Sequence, residues 1–567
     1  MRRLNMNKLL IITILIGLNY HSFSQTTKDE KKLDAEQVNV VKDYEPTIIN
    51  ANRFFDSPII LDSAPPAPKL KYETITKQFP TYFNLEPIAY ATIKGEPLLK
   101  LQNHYVKAGF GNYNTPLLEY NYTSSRSKKY NYGINARHFS SSGDIKNKLF
   151  PGISENFIKV NGKTFYKNHV LTGNANYTRD AFHYYGISDT LIADSVKLES
   201  SQYYQWFGNI SANANFYSTY NDSQKVNYNL KADYYTYFDN YSSLETNAKL
   251  GGDIGKFHGT EWFGGYAGID YFYNTNALVS DANAYILNVS PRAELKLNKI
   301  KFKVGVKTFV QSDTLKSYFN FFPDVDIRYS VVERFINLYG GITGNVYRNS
   351  YKRISQENPF IIPTTEIANT TERMNLYGGV YGALGNKLNY FTGVDYKKVN
   401  NILLYENFIA NQLSNRFITN YDTGSVLKAT GELGYQTTEK LKLIGRVDYY
   451  GYKLKNELRP WQLPTLNMTA SGRYTLQDKI ILGLDLFYVG NRFAKEFVKD
   501  TASTLGYSPK SVNLKAITDI NILTEYRYTK NISAFIRFNN IAAMRYYRWN
   551  NYPTYRFNFI AGFTYSF

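Results

Sequence analysis

Serine and histidine carry acyl-transfer chemistry when they meet, and this sequence offers few places for that. It has six histidines and no cysteine in 567 residues. Thiol catalysis, structural disulfides and a lipid-modified cysteine are therefore excluded together. Beyond the first residues the histidines are His104, His138, His169, His183 and His258. None stands in an HExxH arrangement or at metal-ligand spacing, and no GxSxG elbow occurs. The place to look for a Ser/His pair is "ARHFSSSGD", where His138 precedes Ser140, Ser141 and Ser142 at an outer rim. A solvated rim histidine is the plainer reading of the same residues. The glycines of "GFGNYN" and "YGGVYGALGN" lie within or at the ends of strands rather than between strand and helix, which argues against phosphate loops. No acidic cluster matches a calcium loop. The expectation is a protein that is not an enzyme, with no catalytic residue, metal or cofactor.

The elements that must position any site are written in the periodicity. Residues 1–24 read as a secretory signal, with a basic start (Arg2, Arg3, Lys8), an apolar centre from Leu9 to Leu18 and small residues Ser22 and Ser24 before the cut. Ten apolar residues fall short of the roughly 20 that a spanning helix needs. Aromatics make up 16% of the chain, with 53 Tyr and 36 Phe, yet no uninterrupted apolar stretch follows the signal. A membrane barrel spreads aromatics over its outer face and interface girdles in this way. From about residue 101 the chain alternates apolar with polar over ten to fifteen residues and then breaks at Asn, Asp, Gly, Lys or Ser. A period of two marks strands with one face in each medium. In the last segment Tyr555, Phe557, Phe559, Ala561, Phe563, Tyr565 and Phe567 fall on one side, opposite Thr554, Arg556, Asn558, Gly562, Thr564 and Ser566. Leu441, Leu443, Val447 and Tyr449 likewise oppose Lys442, Arg446 and Asp448. Lipid can meet one face and a lumen the other in every such segment.

Short breaks near 126, 166, 221, 298, 331, 385, 438, 476 and 529 alternate with connections that are often longer: 142 to 154, 186 to 199, 347 to 370, 400 to 423, 455 to 464, 495 to 514 and 546 to 553. Short periplasmic turns and longer outer loops follow this rule in outer-membrane barrels. The fold class is therefore all-β: a transmembrane antiparallel β-barrel of about 22 strands over residues 98–567, preceded by an extended periplasmic segment at 25–97. The net charge of +19 is scattered singly along the alternating segments. It suits a charged lumen and rims that face lipid phosphates better than a nucleic-acid groove.

A lumen of that width has to be plugged or gated. The strand count, the terminal "FTYSF" and the preface "VNVVKDYEPTI", with its proline-rich link into "GEPLLKLQNHYVKAGFGNYNTPLLEYNYTSSRS", resemble the TonB-dependent-receptor-type outer-membrane barrels of Bacteroidota. Members of that family carry a folded plug of well over a hundred residues, whereas here "DSAPPAPKL" breaks a shorter segment, so a full-length plug domain is lacking. The resemblance implies transport or binding of a solute, and the alternative is a non-transporting scaffold or assembly subunit of an outer-membrane complex. Val38, Val40, Val41 and Tyr44 form an extended stretch able to add a strand to a periplasmic TonB-like protein or envelope partner. The other reading lodges Phe54 and Phe55 at the barrel mouth as a lumen constriction. Arg545, Tyr547, Arg548 and Trp549, with Arg459 and Trp461, are the loop residues suited to sugars or anionic groups, or to an aromatic girdle at the membrane interface. Phe563, Tyr565 and Phe567 are expected to be the C-terminal assembly signal read by the barrel-assembly machinery. The remaining expected partners are outer-membrane lipid and lipopolysaccharide, and no nucleic acid.

Overall fold

The computed structural model describes residues 101–187, 199–220, 224–276, 279–312, 316–408, 413–499, 501–502 and 506–567. Val38, Val40, Val41, Tyr44, Phe54 and Phe55, for which the sequence suggests a partner-binding strand and a lumen constriction, lie outside the described residues. The chain divides after Gly95, and the second unit, Glu96–Phe567, contains the barrel.

Twenty-two strands form one sheet in which each pairs antiparallel with its neighbours. The first, His104–Gly111, pairs with the second, Thr115–Thr123, and with the last, Asn558–Ser566, so the sheet closes on itself. Closure leaves no strand edge without hydrogen-bond partners. At the seam the His104 amide donates to the Phe567 carbonyl at 3.0 Å, the Phe567 amide donates back to His104, and the two rings stack with centroids 4.8 Å apart. Room there is minimal. A Cβ on Gly562 would lie 2.0 Å from the Ala108 carbonyl oxygen, and one on Gly111 would lie 2.1 Å from that of Phe559.

The alternation resolves into two surfaces. Leu118, Ile158, Ile210, Leu250, Val289 and Phe319 stand out from the wall, the last 69% exposed. The intervening positions face the lumen and form ion pairs along and across strands: Arg292 with Asp253, two strands away, at 2.6 Å, Lys303 with Asp324 on the next strand at 2.9 Å, and Arg446 with Glu432 on the next strand at 3.1 Å and with Asp448 on its own strand at 2.8 Å. Like-charge repulsion inside the lumen is thereby relieved by neighbours rather than by distant residues.

The connections depart from the expected pattern in two places. Several outer connections are as short as the turns, including Asn112–Asn114 and Asn240–Ser243. The segment 400 to 423, read as a long connection, is mostly strand, because Leu388–Asn407 and Phe417–Thr438 run for 20 and 22 residues. At about 3.4 Å per residue and a tilt of ~40° the longer one rises roughly 57 Å, against an apolar band of about 25 Å. Above the band neither face meets lipid. Ile402, Leu404, Tyr405, Glu406 and Asn407 are all buried, and the period of two that marks a strand in sequence disappears.

Closure at the seam gives a direct test. Gly562→Val is expected to abolish the compact, heat-modifiable form on a gel run without boiling, while Phe563→Leu, on the lipid face of the same strand, leaves it intact. A compact Gly562→Val protein would show that the seam tolerates a side chain that these contacts forbid.

Candidate functional site

The feature that decides access to the lumen is its outer mouth. Tyr184 follows the fifth strand, His169–His183, and Asn415 precedes the sixteenth, Phe417–Thr438, half of the 22-strand circuit away. The Asn415 side chain nonetheless donates to the Tyr184 carbonyl at 2.7 Å. Loops from opposite walls therefore meet over the lumen.

They meet through aromatic rings. Phe360, from the loop after the thirteenth strand, stacks on Tyr552, from the last loop, with centroids 3.5 Å apart. Tyr185 meets both rings edge-on, at 5.9 and 4.9 Å. Phe182, Phe207, Tyr237, Tyr351, Phe417 and Trp549 complete one buried cluster. Gly186 is required beneath it, since a Cβ there would lie 2.5 Å from the Tyr552 ring. Backbone bonds knit the same layer: the Ile362 amide donates to Phe417 and the Phe417 amide to Phe360, at 2.9 and 3.0 Å.

Two buried acids fasten this cap to the wall. The short helix Tyr351–Glu357 is capped by Ser350, and its first amides, of Tyr351 and Lys352, donate to the Glu245 carboxylate at 2.6 and 3.1 Å. The Tyr235 hydroxyl donates to the same carboxylate at 2.8 Å. These three donations give both oxygens of the buried Glu245 carboxylate a partner. Asp239 accepts from the Tyr351 hydroxyl at 2.7 Å and from the Ser243 amide at 2.9 Å.

On the far side Asp422 organises the loop after Leu441–Leu454. It accepts from the amides of Thr423, Asn456 and Glu457 at 2.7, 2.9 and 2.8 Å, and from the Asn456 side chain at 2.9 Å. Burial opposes ionisation there, but the four donors outweigh it and hold Asp422 below the usual carboxylate range. Lys495, in the hairpin of Arg492–Lys499 and Tyr507–Leu514, ties Glu406 to Glu457, at 3.0 Å to each.

The loop residues singled out in the sequence fall within this layer. Trp549 is buried between Tyr405 and Phe417, and Trp461 is buried with its Nε1 donating to Glu457 at 2.6 Å. Arg459 lies over the Phe493 ring at 4.2 Å. Arg545 lies over Tyr547 at 5.8 Å and donates to the Lys146 carbonyl, and Arg548 is exposed. The structure thus brings Trp549 into the aromatic cluster and puts Trp461 beside the Lys495 ion pairs. Phe563, Tyr565 and Phe567 lie on the lipid face of the closing strand, 40 to 55% exposed. Sequence reasoning missed the acids Glu245, Asp239 and Asp422, which look in sequence like ordinary lumen positions. Among the described residues no group of three or more His, Cys, Asp or Glu side chains is placed to hold a metal.

No protein-family model and no curated protein matches this chain. Solved structures do. The siderophore receptor PirA from Acinetobacter baumannii superposes with a TM-score of 0.63 at 11% identity, over 83% of this chain and 81% of that one. The FrpB iron transporter from Neisseria meningitidis (F3-3 variant) gives 0.62 at 12%, over 83% and 82%. FpvA from P. aeruginosa, bound to a heterologous pyoverdine, gives 0.61 at 10%, over 82% and 72%. At these identities the likeness is one of fold, a closed 22-strand antiparallel barrel.

The cap carries two expectations. Phe360→Ala with Tyr552→Ala removes the stacked pair at its centre. Each buried ring lost costs about 3 to 5 kcal/mol, so amide exchange in 351–362 should rise by orders of magnitude while barrel strands stay protected. Asp422 works through pH. A carboxyl held below its unfolded value contributes stability that is present above about pH 4 and lost as pH falls through its folded value. Protection of the Asn456 and Glu457 amides, taken relative to the intrinsic exchange rate at each pH, should therefore fall on acidification, and Asp422→Asn should show that lower protection already at pH 7. Equal protection in the variant would mean that the loop is held by other contacts.

Proposed function

We propose that this chain binds or admits a solute across the outer membrane through a gated barrel of the TonB-dependent-receptor kind. One observation carries the reading: a wide wall lined by ion pairs is closed at its outer mouth by interlocked loops. Loops can be displaced where wall residues cannot, so such a closure suits a gate. The comparisons support the reading through fold, because the structures that resemble the chain are a siderophore receptor, an iron transporter and a pyoverdine-binding receptor.

In this reading residues 1–24 direct export, and 25–97 form a periplasmic segment in place of a full-length plug. Val38, Val40, Val41 and Tyr44 then add a strand to a TonB-like protein, and Phe54 and Phe55 narrow the lumen. Phe563, Tyr565 and Phe567 present the closing strand to the assembly machinery, and lipopolysaccharide surrounds the wall. Arg548, exposed on the cap, and the half-buried Arg545 make first contact with an anionic solute. An origin in Bacteroidota fits the preface and the ending of the chain. The rival function, a scaffold for other envelope proteins, draws on the same cap, because a permanently sealed barrel needs no gate.

Conductance in planar bilayers separates the two. The full-length protein is expected to be silent. Deleting 25–97 together with Phe360→Ala and Tyr552→Ala should open channels, and the single changes assign the barrier to the segment or to the cap. A barrel that stays silent in every form, yet keeps its heat-modifiable mobility, would overturn the transport reading in favour of the scaffold.

A further inference from the structure

The outward face of the third and fourth strands, Tyr130–Ser141 and Ile153–Tyr166, carries a serine, a histidine and an asparagine in hydrogen-bond sequence. His138 Nδ1 lies 2.6 Å from Asn156 Oδ1, and its Nε2 lies 3.3 Å from Ser140 Oγ. Strand geometry alone makes the group, because residues two apart share a face and His138 stands directly opposite Asn156. Asn156 is fixed in turn. Its Nδ2 donates to Ser154 Oγ at 3.0 Å and to the Arg179 carbonyl at 3.3 Å, so its oxygen is the atom offered to the imidazole. An acceptor at Nδ1 selects the tautomer protonated there and leaves the Nε2 lone pair facing the serine hydroxyl. This is the order of orienter, base and nucleophile that acyl transfer uses.

The group faces lipid. Arg137 and Phe139, the odd positions around His138, point into the lumen, where Arg137 pairs with Glu119 at 3.5 Å. Leu118, opposite His138, and Ile158, beside Asn156, are more than half exposed on the outer wall. At about 3.4 Å per residue and ~40° tilt, Ser140 stands roughly 26 Å above Tyr130, the first residue of its strand, which is close to the full height of an apolar band of about 25 Å. That is the level of ester carbonyls, between acyl chains and head groups. On the next strand Arg179 lies beside Asn156 on the same face, with its guanidinium over the Trp206 ring at 5.2 Å and donating to the Tyr204 hydroxyl at 3.1 Å. An arginine so placed suits a lipid phosphate.

We infer that Ser140, His138 and Asn156 hydrolyse acyl esters of outer-leaflet lipids, an activity separate from the lumen because it lies on the opposite face of the wall. Ser140 Oγ bonds to the ester carbonyl carbon as its proton passes to His138 Nε2. The bond to the alcohol oxygen then breaks, and that oxygen takes the proton back from Nε2. A water molecule gives a proton to the same nitrogen and attacks the acyl-serine, releasing fatty acid and restoring the hydroxyl. Ser140 and His138 are the catalytic residues and Asn156 a positioning residue.

The test uses the full-length protein in detergent, a rhodamine-tagged fluorophosphonate, and a p-nitrophenyl ester or phospholipid in mixed micelles. The expected result is a covalent adduct on the Ser140 peptide and ester hydrolysis, both lost in Ser140→Ala. His138→Ala should lower the rate by roughly 10²–10⁴-fold. Asn156→Ala should lose activity that Asn156→Asp, which keeps an acceptor, restores with an altered pH profile; a merely structural role would not give that contrast. Heat-modifiable mobility checks that each variant folds. A folded wild-type protein that takes no label, or a Ser140→Ala protein that labels equally, overturns the inference.

Discussion

A backbone crossing hydrocarbon has no water to bond, so each amide and carbonyl must find a partner within the protein. In this chain that requirement is met at one join, where His104–Gly111 pairs with Asn558–Ser566 and the ends of the barrel unit exchange hydrogen bonds between His104 and Phe567. The lumen, the lipid face and the loop layer exist only because that ladder closes. The glycines at the seam follow from the same requirement, since a side chain there would hold the two strands apart.

Closure produces a second problem, a hole through the membrane. The outer loops answer it with the interactions of a soluble core: stacked and edge-on aromatics, a glycine where rings come closest, and buried carboxylates whose lone pairs are taken by helix amides and tyrosine hydroxyls. A charge that is buried and fully hydrogen-bonded fixes geometry more than it adds stability. Glu245 and Asp239 therefore act as anchors that set where the helix Tyr351–Glu357 sits.

The wall also separates two chemistries by residue parity. Odd positions near His138 serve the lumen, as in the pair of Arg137 with Glu119, while even positions carry His138, Ser140 and, across the strand pair, Asn156 to the lipid side. A shift of one residue in register would exchange the two sets. One strand can thus contribute to a polar lumen and to a membrane-facing site without either affecting the other.

The sequence by itself determined the class of fold, the strand count and the direction of each face, because lipid on one side and water on the other impose a period of two that needs no tertiary context to read. It singled out His138 with Ser140 but not Asn156, since partners on different strands are set by register. Tertiary structure alone decided what happens above the membrane. There Ile402 to Asn407 pack on both faces and lose the alternation, and Trp461 and Trp549, which in sequence suit a girdle more readily than a binding surface, become buried parts of the cap. Contacts such as Asn415 with Tyr184 join residues from opposite walls, and no local pattern encodes a meeting that only the closed barrel brings about.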